Sequence, residues 1–120
     1  LVDAPNSSHE CHKVKRYIET NYHDKITLDS LASNCNLTKY YLSHKFTEFY
    51  RKSPIAYLTE VRITAAKDLL KTTNLSIEEI ASGTGFSSSS YFSQTFQKFC
   101  HMSPQQYRKS QTKTASVSDQ

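Results

Sequence analysis

The feature that most constrains this chain of 120 residues is an internal repeat. Residues 28–37 align with residues 77–86 at an offset of 49, and residues 41–57 align with residues 91–107 at an offset of 50. The identical aligned pairs are Ala32/Ala81, Ser33/Ser82, Tyr41/Tyr91, Ser43/Ser93, Phe46/Phe96, Phe49/Phe99, Ser53/Ser103, Pro54/Pro104 and Tyr57/Tyr107. Because self-similarity at a fixed period indicates repeated structural units, we expect two copies of one folding unit.

Apolar residues recur at helical spacing along the whole chain, and no stretch alternates apolar and polar residues as a strand does. The chain has only 2 Gly and 3 Pro, too few for the frequent turns of a β-sandwich or barrel. We therefore predict an all-α fold of seven helices, which form two helix-turn-helix subdomains joined by a long linker helix. The predicted boundaries are a disordered linker at 1–7, a first subdomain at 8–53, the linker helix at 54–72, a second subdomain at 73–109 and a disordered tail at 110–120.

Each copy of the repeat has the anatomy of a helix-turn-helix, with a short helix, a tight turn and a longer helix. The turn requires one residue at positive φ, which Gly85 supplies in the second copy and Asn36 in the first. We expect Leu37 and Phe86 to fill the angle between the two helices. A duplicated α-hairpin without a role in DNA binding is the alternative interpretation.

Helical spacing also separates a core-facing side from an outward side on the longer helices. We expect Phe92, Phe96 and Phe99 of the sixth helix to face the core, as Phe46 and Phe49 do in the third. The corresponding stripe in the fourth helix is Leu58, Val61, Ala65 and Leu69.

The chain has 15 Lys and Arg against 11 Asp and Glu, a formal charge of +4. Residues 81–118 contain no Asp or Glu, whereas they include Lys98, Arg108, Lys109 and Lys113. A field of one sign favours a polyanionic partner such as nucleic acid. A basic tail that serves only solubility is the alternative.

The sequence gives little support to a membrane or secreted protein. No apolar run approaches the ~18 residues of a membrane span, and no leader for secretion is evident. Cys11, Cys35 and Cys100 are odd in number and widely spaced, which predicts reduced thiols in a cytoplasmic protein. Because the sequence does not begin with Met, we interpret it as a fragment of a longer protein.

The sequence also lacks the residue patterns that catalysis or metal binding requires. His9, Cys11 and His12 have no second ligand cluster at a suitable spacing, and Cys100 beside His101 has no third group to orient it. Glu78 and Glu79 are better explained by the first turn of a helix that Ser76 caps. We expect no catalytic residue, no metal and no cofactor.

The second copy, IEEIASGTGFSSSSYFSQTFQKFCHMSPQQYR, resembles the signature of AraC/XylS-type transcriptional regulators, and EVRITAAKDLL resembles the linking helix of that family. The resemblance covers residues 8–109. It implies a bacterial DNA-binding domain whose two recognition helices, at about 38–50 and 87–100, enter successive major grooves. It also implies RNA polymerase as a partner and an upstream sensor or regulatory domain in a protein that can be dimeric.

The chain departs from the family pattern at two pairs of positions. The family usually has Gly where this chain has Arg51 and His101, which leaves the geometry of those loops open. It often has Arg at the positions of His44 and Gln94, so these departures concern base preference rather than fold.

The outward faces of the two recognition helices supply the predicted DNA contacts. The predicted base-reading residues are Tyr40, Ser43, His44, Ser89, Ser90, Ser93 and Gln94. The predicted phosphate-contacting residues are Thr38, Lys39, Lys45, Ser87, Ser88, Gln97 and Lys98. Because Glu48 occupies the position that matches Lys98 and repels phosphate, we expect the first subdomain to bind DNA less tightly.

The length of the linker helix constrains the DNA site. Its 18 residues from Pro54 to Lys71 span roughly 27 Å, whereas major grooves on one face recur about every ~34 Å. We therefore expect DNA bending or a tilted linker, and an asymmetric site of about two turns with flexible steps between its halves. The alternative function is a helical protein-interaction module that docks RNA polymerase or another regulator without reading bases.

Overall fold

The computed structural model describes the backbone of residues 3–118 and the side chains of residues 8–111. Within that part of the chain it contains seven helices and no strand, which confirms the predicted all-α fold. The helices are α1 (Asp3–Asn21), α2 (Leu28–Asn34), α3 (Lys39–Tyr50), α4 (Pro54–Thr72), α5 (Ile77–Gly83), α6 (Ser89–Cys100) and α7 (Pro104–Ser118).

Local side-chain hydrogen bonds determine where several helices begin. Ser76 caps α5: its Oγ accepts from the Glu79 N–H at 3.0 Å, and the Ser76 N–H donates to Glu79 Oε1 at 2.9 Å. These two hydrogen bonds satisfy two backbone N–H groups that have no carbonyl partner at the start of the helix. Ser53 caps α4 and Ser103 caps α7. The Oγ of each serine accepts from the backbone N–H three residues on at 3.1 Å.

Both terminal helices are longer than the sequence analysis expects. Residues 3–7 and 110–118 are helical backbone where the predicted boundaries have disordered linker and tail; residues 1, 2, 119 and 120 lie outside the described residues. Pro5 is the only helix breaker in α1 and lies in its first turn, where no helical N–H is required. Residues 105–118 contain neither Gly nor Pro, so no helix breaker interrupts α7.

The chain divides into two compact units, Leu1–Val61 and Arg62–Gln120, and the boundary falls within α4. The first unit packs α1, α2, α3 and the start of α4 around one core. The buried residues of that core are Val14, Ile18, Leu31, Ala32, Leu42, Phe46 and Leu58. It is an all-helical unit with the helix-turn-helix made by α2 and α3.

The second unit packs α5, α6 and the remainder of α4 around its own core, with Tyr107 of α7 against it. The buried residues of that core are Ile63, Ala66, Leu70, Ile80, Ala81, Phe86, Phe92 and Phe96. Val61, Ala65 and Leu69 of the stripe predicted for α4 are half-buried; Val61 packs against the first core and Leu69 against the second. The helix supplies Leu58 to one core and Ile63, Ala66 and Leu70 to the other, so one stripe cannot describe it.

Candidate nucleic-acid interface

The turn that precedes each recognition helix is the same in both units. The Leu37 N–H donates to the Ala32 carbonyl at 2.9 Å, and the Phe86 N–H donates to the Ala81 carbonyl at 2.9 Å. This is the hydrogen bond that closes a helix C-terminus when the chain passes through the left-handed region. Asn36 (φ 57°) and Gly85 (φ 96°) occupy that region, as the sequence predicts.

The recognition helix of the second unit, α6, begins at Ser88, whose Oγ accepts from the Tyr91 N–H at 3.1 Å. Phe92, Thr95 and Phe96 are buried on its inner side. The prediction for Phe99 was wrong: its side chain is 45% exposed although it lies seven residues after Phe92. In the last turn of α6 the residue that packs against the core is Cys100, which is half-buried, and not Phe99.

The recognition helix of the first unit, α3, follows the same plan. Thr38 caps it by accepting from the Tyr41 N–H at 3.1 Å, and Leu42 and Phe46 are buried. Phe49 is 44% exposed, so its predicted burial was also wrong. The cause is the same as at Phe99, because Phe49 occupies the matching position in the last turn.

All the predicted DNA-contacting side chains are accessible. Those that are exposed are Thr38, Lys39, Tyr40, His44, Ser87, Ser88, Ser90, Gln94, Gln97 and Lys98. Those that are half-buried are Ser43, Lys45, Ser89 and Ser93. The structure thus places six of them on α3 or its cap and eight on α6 or its preceding loop.

Aromatic contacts orient the side chains on and beneath these faces. Tyr40 and His44 meet edge to face with ring centroids 4.0 Å apart, so each restricts the rotation of the other. Beneath α3, the Tyr41 hydroxyl donates to Glu10 Oε1 at 2.7 Å. Beneath α6, the Phe96 ring lies 5.6 Å from that of Tyr107.

The two units differ in electrostatics. In the first unit Lys39 contacts Asp29 at 3.1 Å and Lys45 contacts Glu48 at 3.4 Å. In the second unit Lys98 is exposed and makes no ion pair with any described side chain. The stretch 81–118 contains no carboxylate side chain, so no acidic residue on α6 itself offsets the charge of Lys98.

Both recognition helices end in a left-handed residue that is not glycine. Arg51 has φ 63° and ψ 19°, and His101 has φ 60° and ψ 23°. Their N–H groups each donate to the carbonyl four residues earlier at 2.8 Å. The helix ends therefore keep a geometry that suits glycine, and the sequence departures at these positions do not alter it.

The cysteines and the side chains that could bind a metal form the remaining candidate groups. All three cysteines are unpaired, and burial raises the pKa of Cys11, Cys35 and Cys100, which disfavours the reactive thiolate. Among the described side chains, no three of the types His, Cys, Asp and Glu cluster as a metal site requires. None of the helices within the described part of the chain is both long and apolar enough to cross a membrane.

Comparison with known proteins gives a consistent family. Residues 31–110 match a family described as a helix-turn-helix domain. The chain is 38% identical over 93 residues to the uncharacterized HTH-type transcriptional regulator YdiP of Escherichia coli, covering 78% of this chain and 31% of that protein. The chain spans between 12% and 31% of the length of the regulators in this comparison.

Two solved structures share the fold over nearly the whole chain. The C-terminal domain of AraT, a response regulator from Geobacillus stearothermophilus, has a TM-score of 0.82 and 34% identity, covering 84% of each chain. A transcriptional regulator from Chromobacterium violaceum, described as containing an AraC-type DNA-binding domain, has a TM-score of 0.79 and 25% identity, covering 89% of this chain and 96% of its own.

Proposed function

The chain belongs to the AraC-type helix-turn-helix family, and we propose that it is the sequence-specific, double-stranded DNA-binding output domain of a bacterial transcription regulator. The observation that carries this proposal is the two-sided character of α3 and α6. Each packs buried aromatic or aliphatic side chains on one side and presents accessible side chains that can donate or accept hydrogen bonds on the other.

The exposed side of α6 has the chemistry that major-groove contact requires. Ser90 and Gln94 lie near its N-terminal end, where no bulky charged group holds the backbone away from the bases. A glutamine amide can pair with N6 and N7 of adenine through two hydrogen bonds, which discriminates bases by about 1–3 kcal/mol. Ser87 and Ser88 precede the helix and offer hydroxyls and N–H groups to phosphate, with Lys98 as the cationic contact.

The exposed side of α3 would read a different sequence. His44 can donate to guanine N7 or O6, and Tyr40 can pack on a thymine methyl group. The contact between the two rings limits their conformations before DNA binds. Since Lys39 and Lys45 already contact carboxylates, phosphate must compete for them, which supports weaker binding by the first unit.

A second part of the proposal concerns the full-length protein. Relatives in the comparison are several times longer than the matched segment, and we propose that a sensor or regulatory region accompanies this domain. We further propose that both recognition helices occupy successive major grooves of an asymmetric site of about two turns, that RNA polymerase is a partner, and that the protein acts in the bacterial cytoplasm.

The decisive experiment is selection of bound duplexes from a random pool, followed by a salt titration on the selected site and on an unrelated duplex. We expect a preferred site, with an affinity that falls as salt rises with a slope of about −0.9 per phosphate contact. A protein-interaction module would retain no duplex even at low salt, and that result would refute the proposal.

Two matched variants of α6 separate base contacts from phosphate contacts. Gln94→Ala should weaken the selected site by about 1–3 kcal/mol and leave the unrelated duplex nearly unaffected. Lys98→Ala should weaken both duplexes alike and make the salt slope shallower by about one. If each variant gave the pattern expected of the other, the assigned roles would be wrong.

A further inference from the structure

The accessible surface of α3 has one cation that is not engaged by a carboxylate. Lys39 and Lys45 contact Asp29 and Glu48 respectively. Arg51, at the C-terminal end of the same helix, is exposed and makes no ion pair with any side chain that the structure describes. A phosphate approaching α3 would therefore meet the Arg51 guanidinium without first displacing an internal partner.

Arg51 also shares a surface groove with residues of the recognition face. The groove is lined by Ser43, His44, Lys45, Thr47, Glu48 and Arg51. Positions 43, 47 and 51 follow one another at four-residue spacing, so they lie along one face of the helix. Arg51 thus lies on the same side of α3 as the proposed base contacts Ser43 and His44, about 10–12 Å further along the helix axis.

The repeat shows a displacement of charge between the two units. At the matched positions the first unit has Glu48 and Arg51 where the second has Lys98 and His101. The two positions are three residues apart and adjacent on a helix surface. The first unit therefore carries its free cation about one turn further along the recognition helix.

The backbone at Arg51 does not favour a side chain. Its φ of 63° lies in the left-handed region, which glycine adopts far more readily than any residue with a Cβ. His101 has the same conformation in the second unit, with φ 60°, so Arg51 is distinguished by its charge and not by its backbone. The guanidinium, which forms paired hydrogen bonds to phosphate oxygens, is a functional reason for a side chain here.

We propose that Arg51 is the principal phosphate-binding residue of the first unit, in the role that we assign to Lys98 in the second. This inference rests on the proposed DNA-binding function. The sequence pattern did not identify this contact. Only the folded unit shows that Lys39 and Lys45 pair with carboxylates and that Arg51 does not.

The test is Arg51→Gly, measured with a labelled duplex of about two turns that carries the selected site, and with an unrelated duplex. Counterion release from one phosphate is worth about eightfold in affinity at 0.1 M salt, from the slope of ~0.9. We expect the variant to bind both duplexes about eightfold less tightly, with a slope shallower by about 0.9. Its melting temperature should rise, since glycine suits this φ, so unfolding cannot explain the loss.

Two further variants serve as controls. His101→Gly makes the same backbone change in the second unit; at pH 8, where an imidazole is largely neutral, it should raise the melting temperature and leave the salt slope unchanged. Glu48→Lys combined with Arg51→Gly gives the first unit the cation position of the second and also frees Lys45 from Glu48, so its affinity and slope should be at least those of the parent protein.

The outcomes are distinguishable. If the parent protein binds the selected duplex and Arg51→Gly binds it with unchanged affinity and slope, the role of Arg51 is refuted. A loss confined to the selected sequence would also refute it, because that would identify a base contact. If the parent protein binds no duplex at any salt concentration, the proposed function itself fails.

Discussion

Truncation of Phe96 tests whether buried aromatic rings hold the recognition helix of the second unit. The Phe96 side chain is 0% exposed, and its ring lies 5.7 Å from that of Phe92 and 5.6 Å from that of Tyr107. Phe96→Ala removes the buried ring and both aromatic contacts, and should lower the free energy of unfolding by about 3–5 kcal/mol. The second unit has 59 residues, which at ~0.05–0.15 kcal/mol per residue gives a stability of about 3–9 kcal/mol. The variant should therefore lose at least about a third of the stability of the second unit, and all of it if the parent lies at the low end of this range.

Phe99→Ala is the matched control, because the same residue type stands three positions further along α6. Its side chain is 45% exposed, so only about half of the ~1.5–3 kcal/mol for complete burial is at stake, about 1 kcal/mol. Denaturant unfolding followed by far-ultraviolet circular dichroism measures both variants, and duplex binding reports the recognition helix. If Phe99→Ala cost as much as Phe96→Ala, or if Phe96→Ala cost less than about 1 kcal/mol, the assigned core would be wrong.

Two further predictions concern backbone conformation and pH. A Cβ at Gly83 would meet no atom within 4 Å, so Gly83→Ala should stabilise the end of α5 by about 0.4–1 kcal/mol. Gly85 has φ 96°, so Gly85→Ala should instead lower the stability by about 1–2 kcal/mol. Thermal melts that ranked the two variants in the opposite order would contradict the turn geometry. Burial and a hydrogen bond to Glu19 raise the pKa of Tyr57, so its contribution to stability is complete below pH ~10 and declines at higher pH. Tyr57→Phe should thus have a lower free energy of unfolding than the parent below pH ~10, and that free energy should fall less as the pH rises further. If the difference in free energy of unfolding between parent and variant stayed constant from pH 8 to 11, this prediction would be contradicted.

The turns and helix starts were predictable because their causes are local. Glycine and asparagine adopt positive φ more readily than most residues, and Asn36 and Gly85 stood at matching positions of the repeat. A serine that accepts from an N–H three residues on is equally local, which is why the cap at Ser76 could be predicted. Such features need only a few neighbouring residues and no knowledge of the rest of the fold.

The errors arose where another element decides the outcome. Spacing places Phe49 and Phe99 on the inner side of their helices, yet in the last turns the next residues, Tyr50 and Cys100, pack against the cores instead. Spacing gives the direction of a side chain and not the extent of the surface that covers it. In α4 the apolar pattern was read as one stripe, but Leu58 and Ile63 belong to separate cores.

The candidate site divides in the same way. The accessibility of Ser90 and Gln94 followed from the burial of the opposite face, which sequence spacing predicts. The contact of Lys39 with Asp29 could not be predicted from spacing, because Asp29 lies on a different helix, ten positions earlier. The ion pairs that leave Arg51 without a carboxylate partner therefore became evident only in the folded unit.

The repeat separates the residues that specify the fold from those that would specify the DNA sequence. Several identical pairs occupy core, cap or turn-flanking positions, such as Ala32/Ala81 and Phe46/Phe96, and these preserve one backbone in both units. The exposed positions mostly differ, and the differing pairs are Tyr40/Ser90, His44/Gln94, Thr47/Gln97, Glu48/Lys98 and Arg51/His101. Two helices with the same fold and different exposed groups must prefer different bases. The selected site should therefore have two unlike halves, and a direct repeat of one half-site that bound with higher affinity would contradict this division of roles.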